Sequence, residues 1–200
     1  LIIFHGANYL LMRTDGEVAQ RARRASLIAG SLMLVLFIAA GFWVSQLKGY
    51  SITSGALHNA AANPTLKTVS HSVGAWLNNY HTYPITLLFP ILGILGGLLG
   101  VFAAKTQRAT LAFIASSFAA TGILATAGVS MFPFMLPSSL NPNVSLTVWD
   151  SGSSQLTLFL MLLVTLIFMP LIIVYTSWVY RIMRGKVTAS YIKENSKALY

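Results

Sequence analysis

Residues Gln155–Tyr180 read QLTLFLMLLVTLIFMPLIIVYTSWVY, an unbroken apolar run without Asp, Glu, Lys or Arg. A helix rises about 1.5 Å per residue, so roughly 20 residues cross about 30 Å of hydrocarbon. In lipid every backbone N–H and C=O needs a partner within its own segment, which makes such a run a helix. The same test picks out Ala25–Val44, Pro84–Ala104 and Ala109–Met131, equally free of these charges. The chain reads as an all-α polytopic membrane protein with one integral-membrane region over residues 1–200.

Composition agrees. Hydrophobic residues make up 56% and charged residues 8% of the 200 residues, against about 25% charged in soluble domains. The formal charge of +9 does not point to nucleic acid, because the charges sit at the ends of the apolar runs. There they set membrane orientation. Cysteine is absent, which removes disulfide frameworks and iron–sulfur sites.

The first residue is Leu, and Leu1–Met12 is apolar but too short to span. It has neither the basic start nor the cleavage site of a signal peptide. It reads as the end of a truncated transmembrane helix, and the chain as a C-terminal fragment. The connections then alternate sides. Arg13, Arg21, Arg23, Arg24, Lys105, Arg108, Arg181, Arg184, Lys186, Lys193 and Lys197 fall on one side; only Lys48 and Lys67 fall on the other. Positive charge stays inside, so the first side, with the tail 181–200, is expected to be cytoplasmic.

The outer loop, residues 45–83, carries Asn63-Pro64, an N-cap followed by proline at the first helical position. Leu66, Val69, Val73, Trp76 and Leu77 then share one face of a helix drawn over Thr65–Tyr80. That amphipathic helix would lie on the membrane surface or a partner, or over the outer end of the bundle. In the span Pro84–Ala104, Gly93, Gly96, Gly97 and Gly100 give GxxxG spacing twice, suited to close helix packing. Pro90 and Pro170 each remove a helical hydrogen bond and are expected to bend their helices. Phe132 and Phe134, between two prolines, suit the interface. After them comes a polar outer loop, residues 138–154, with Ser153 or Ser154 capping the last helix.

Chemistry is sparse. No span holds a carboxylate for a proton relay. Asp150 is the one outer-side acid, and its turn-rich setting suits a side-chain bond to its own backbone or a contact with a partner subunit. His58, His71 and His81 lie in the outer loop without a metal-ligand spacing. His5 sits about 12 Å inside the membrane end marked by Arg13 and reads as a buried polar contact. Met33, Met131, Met135, Met161 and Met169 read as ordinary apolar residues without a histidine opposite them. No phosphate loop, dinucleotide fingerprint or hydrolase order is present. No catalytic, cofactor-binding or metal residue is assigned.

Several segments are more specific: GANYLLMRT (Gly6–Thr14), Gly74-Ala-Trp76, AGVSMFPFMLPSS (Ala127–Ser139), SLTVWDSGSSQLTL (Ser145–Leu158) and the terminal Leu199-Tyr200. Together they resemble subunit II of the cytochrome bd quinol oxidases, along essentially the whole chain, in the C-terminal half of that subunit. The resemblance implies a terminal oxidase of the bacterial cytoplasmic membrane that oxidises quinol and reduces dioxygen to water, building a proton-motive force. It implies haem b and haem d in a partner, subunit I, and none bound by subunit II. It implies a fold of two four-helix bundles plus a peripheral helix. It places the proton-delivery acids in an N-terminal half, so no catalytic residue carries over. Trp149, Asp150, Ser153, Ser154 and Gln155 are expected to fix the outer start of the last helix near a subunit contact. Two other readings stand beside this one. A transporter subunit would use Pro90, Pro170 and the glycine-rich helix, with Ser116, Ser117, Thr121 and Thr126 as its scattered midplane polar groups. An assembly scaffold would need no chemistry.

Overall fold

The computed structural model describes residues 1–55, 63–182, 185, 186 and 188. Helices dominate: α1 Ile2–Arg13, α2 Gly16–Gln46, α3 Asn78–Thr82, α4 Leu88–Lys105, α5 Ala109–Met131 and α6 Gln155–Ile182. Among the described residues, four helical segments are long and apolar enough to cross a membrane: Gly16–Gln46, Pro84–Lys105, Ala109–Met131 and Gln155–Ile182. The strands form two short ladders, β1 Lys48–Ser54 with β2 Thr68–Val73, and β3 Phe134–Leu136 with β4 Leu146–Thr147.

Helix ends differ from the apolar runs for a physical reason. Hydropathy marks the stretch in hydrocarbon, whereas the backbone bonds continue into the polar rim. So α2 begins at Gly16 rather than Ala25, and its first turns carry an Arg21–Glu17 ion pair at 2.5 Å at the helical i,i+4 spacing. Pro84 opens a single 3-10 turn, Pro84–Leu87, before α4.

The expected amphipathic helix over Thr65–Tyr80 is not there. Asn63 does cap, its Oδ1 accepting from Thr65 N at 3.0 Å, but only for the 3-10 turn Pro64–Leu66. The segment Thr68–Val73 then becomes β2, followed by a 3-10 turn Ala75–Leu77 and the short α3. The run TVSHSV is built from β-branched residues, serine and histidine, which favour a pleat over a helix. The strand β1 supplies its ladder partners. Gly74, at φ +76, then turns the chain in a conformation costly for a residue with a Cβ. Of the five proposed face residues, Val69 is buried while Leu66 and Val73 are exposed, so no common face exists.

The chain divides into two units. One comprises residues 1–51 and 70–132 with the described residues 186 and 188. In it α4 and α5 pair along their lengths and α1 packs on α2 and α5. Close approach is set by small residues. A Cβ added at Gly96 would lie 2.6 Å from Ala119 N and 2.9 Å from Ala115 O of α5. One at Gly93 would meet Ile123, and one at Gly122 would strike the Gly93 backbone. A Cβ added at Gly97 would lie 2.6 Å from Leu34 of α2, and one at Gly30 or Gly100 would lie 2.6 or 2.7 Å from the Phe4 ring. Phe4 is 0% exposed, so the largest core side chain occupies the gap these glycines leave.

The α4–α5 turn is a Schellman closure: Gln107 N donates to Ala104 O and Arg108 N to Ala103 O, at 3.3 and 2.9 Å. Gln107 holds the left-handed position, φ 58, that glycine fills without a Cβ penalty. Gln107→Gly should therefore stabilise the hairpin by up to about 1 kcal/mol, read as a rise in thermal midpoint in detergent. At the other end of α5, Asn79 Nδ2 donates to Val129 O and Phe132 O at 2.7 and 2.5 Å, and Tyr80 OH donates to Thr126 O at 2.8 Å. The asparagine satisfies carbonyls that the helix end leaves open, while the tyrosine adds a second bond to a carbonyl of the preceding turn.

The second unit comprises residues 52–69 and 133–185 within the described chain. It holds the β3–β4 ladder, with Phe134 opposite Thr147 and Leu136 opposite Leu146, and α6. No residue of α6 is buried. A helix that is apolar all round and buries nothing suits lipid on its surface.

Candidate functional site: a clasp between the inter-helix loops

The clearest polar constellation of the second unit surrounds Asp150. It is built from two matching turns. Asn63-Pro64 and Asn141-Pro142 each start a 3-10 turn, with the asparagine Oδ1 accepting the N–H two residues on, at 3.0 Å from Thr65 and 3.1 Å from Asn143. Proline presets the turn's φ and the asparagine supplies an acceptor for an otherwise open N–H. The second turn is tied to the strand that follows the first: Asn143 Oδ1 accepts from Val69 N of β2 at 2.8 Å.

This arrangement brings Lys67 to Asp150. Lys67 Nζ donates to Asp150 Oδ2 at 2.6 Å and to Pro64 O at 3.1 Å. The same Oδ2 accepts from Thr147 Oγ1 at 2.6 Å and Thr147 N at 3.3 Å. The side chains are 2% exposed for Lys67 and 14% for Asp150, so the pair is largely out of water. Burial pushes the Asp150 carboxyl up. Hydrogen bonds from Lys67 and Thr147, with the lysine charge, outweigh burial and hold it below the ordinary carboxylate value. Sequence reasoning named Asp150 and the bond to its own turn, but missed Lys67. The signal was available: Asp150 is the one acid, and Lys67 one of two cations, that the charge pattern assigns to the side expected to be outer.

The neighbours named with Asp150 take different places. Trp149 is half-buried, while Ser153, Ser154 and Gln155 are exposed. Ser154 precedes α6, and its Oγ accepts from Thr157 N at 3.4 Å, the geometry of an N-cap. Ser151 Oγ donates to Thr147 O at 2.7 Å, tightening the same turn.

The first unit holds the membrane-level polar groups. His5 Nδ1 pairs with Ser116 Oγ at 2.9 Å and its ring stacks on Phe113 at 4.9 Å. Ser26 Oγ donates to Asn8 Oδ1 at 2.7 Å, both residues 0% exposed. Ser117, Thr121 and Thr126 return their hydroxyls to carbonyls of their own helix, so they make no midplane ligand set. In the outer segments His71 meets the Tyr50 ring edge-on at 4.4 Å. His81 lines a largely apolar cavity of about 420 Å³ with Tyr80, Phe37 and Phe42. His58 lies outside the described residues. Among the described residues no group of three His, Cys, Asp or Glu could hold a metal ion.

A family model for cytochrome bd terminal oxidase subunit II matches residues 1–183. The chain belongs to that family. It is 43% identical over 201 residues to the cytochrome bd-I ubiquinol oxidase subunit 2 of Escherichia coli K12. It is 40% identical over 200 residues to the probable cytochrome oxidase subunit 2 of Haemophilus influenzae. Each match takes in 100% of this chain and 53% of the relative, so the chain spans about half the length of the relatives it matches. Its helices fit a membrane subunit of that family. Membership does not favour the transporter or free-standing scaffold readings.

Proposed function

We propose that this chain serves, within subunit II of a bd-type quinol:dioxygen oxidoreductase, as apolar scaffold beside a haem-bearing subunit I. The observation that carries the reading is the family match over residues 1–183. In this reading quinol is oxidised and dioxygen reduced to water by the complex, with haem b and haem d in the partner, in a bacterial cytoplasmic membrane. The electron chemistry belongs to those haems. The residues of this chain do other work: Gly93, Gly96, Gly97 and Gly100 let the helices close, and the clasp at Asp150 ties residues 64–67 to the turn that precedes α6. The basic rim faces the cytoplasm, as Arg13, Arg21, Arg23, Arg24, Lys105 and Arg108 are confined to one end of the spans.

The test is purification of the full-length subunit with its neighbouring polytopic partner, followed by a reduced-minus-oxidised spectrum. Haem b and haem d bands are expected in the co-purified complex; a colourless preparation defeats the reading. The contact near Trp149, Asp150, Ser153, Ser154 and Gln155 has its own test. Asp150→Asn should lower the yield of assembled, haem-loaded complex; an unchanged yield and haem content reduces the clasp to a bond within the subunit.

A further inference from the structure

At the basic end of the first unit, the α1–α2 turn and the α4–α5 turn enclose a cleft of about 270 Å³. Its polar walls are Thr14, Asp15, Gln20, Arg23, Gln107 and Lys186, and Leu11, Ala19 and Ala109 add apolar surface. Arg23 is fixed across it: Nη2 donates to Lys105 O at the end of α4, so the guanidinium spans the two turns. Asp15, the one carboxylate in the walls, is already paired with Lys186 Nζ at 2.9 Å. Among the described residues, that leaves the charge of Arg23 uncompensated within the cleft. Arg21 pairs with Glu17 outside it, while Arg24, Lys105 and Arg108 are exposed around the same end. Donors, a fixed guanidinium and a net positive rim favour an anion.

The position says which anion. The cleft sits where the apolar helices end, the level at which lipid phosphates lie, and basic pockets between spans at such ends take lipid headgroups. Its volume admits a phosphodiester with part of its glycerol, whose apolar side would lie against Leu11, Ala19 and Ala109. We propose that this cleft binds the headgroup phosphate of an anionic phospholipid, held by Arg23 with Gln20 and Gln107. The proposal rests on the membrane placement argued above and is independent of which partner carries the haems.

The test uses the full-length complex in nanodiscs of phosphatidylglycerol mixed with phosphatidylcholine, with retained lipid counted by native mass spectrometry. Gln20→Glu keeps a good helix former at an exposed position and only adds a negative charge to the cleft. It should lose one retained phosphatidylglycerol per complex, as should Arg23→Gln, while Arg24→Gln should keep it. Equal phosphatidylglycerol counts in wild type and Gln20→Glu overturn the site. So does retention of phosphatidylcholine in place of phosphatidylglycerol, which would make the cleft a generic lipid contact. The haem spectrum recorded on the same samples reports on the oxidase reading, so failure of one is distinguishable from failure of the other.

Discussion

Gly96→Val should open the α4–α5 pair and lower stability by about 3 kcal/mol, the upper end of overpacking costs. The Cβ alone would lie 2.6 Å from Ala119 N and 2.9 Å from Ala115 O. Both are backbone atoms of α5, and a helix backbone cannot step aside as a rotamer can. The two helices would have to separate along their length, removing the dispersion contacts that hold helices together in lipid, where apolar burial gives no drive. Movement of α4 would also strip Phe4 of its socket, since Gly100 on the same helix closes on that ring. Gly128 offers the control. Nothing lies within 4 Å of a Cβ there, so Gly128→Ala should be neutral or stabilising by about 0.5–1 kcal/mol, the helix advantage of alanine over glycine. Thermal unfolding of the full-length complex in detergent should show a large fall for the first variant and none for the second. Equal midpoints would remove the glycine contact from the account of this fold.

The contrast shows where sequence was informative. The spans were legible because hydrocarbon imposes one rule on every lipid-facing residue between Ala109 and Met131: the backbone must bond within its own helix. The loop between α2 and α4 obeyed no such rule. Five apolar residues between Leu66 and Leu77 fitted a helical face, yet the β-branched run at Thr68–Val73 and the neighbouring strand β1 decided the outcome. Periodicity over one segment cannot register a ladder partner that lies twenty residues away. The Lys67–Asp150 pair was hidden for the same reason: 83 residues separate its members, and two Asn-Pro turns must form before they meet. The glycine contacts stand between these cases. Spacing at Gly93, Gly96, Gly97 and Gly100 indicated close packing, but which neighbour each faces depends on helix rotation. Gly97 meets α2 while Gly96 meets α5.

Lys67→Met should loosen the outer loops of the second unit more than any other single change there. A buried ion pair broken on one side leaves an uncompensated charge, at a cost of about 3–5 kcal/mol. Asp150 would keep its two bonds from Thr147 but lose its counter-charge, and the Pro64 carbonyl would lose its donor. Asp150→Asn also leaves a buried charge, that of Lys67, without its counter-charge, but should cost somewhat less because the amide oxygen still accepts from Lys67 and Thr147. The double variant should recover part of the Lys67→Met loss, since a neutral amide has no charge to compensate. Acid gives the same answer by another route. The folded Asp150 carboxyl lies below its ordinary value, so its contribution is fully present above the unfolded pKa of about 3.9 and is lost as pH falls through the folded value. Loop stability attributable to Asp150 should therefore be flat between about pH 8 and 5 and decline below about pH 4. Asp150→Asn should abolish that decline. Hydrogen exchange at Val69, whose N–H is held by Asn143, and at Thr147, whose N–H is held by Asp150 itself, reads the clasp locally. Protection at both amides should fall in Lys67→Met while the amides of α4 and α5 stay protected. If Val69 and Thr147 exchange alike in wild type and Lys67→Met, the ion pair does not hold these loops, and the two Asn-Pro turns must do so alone.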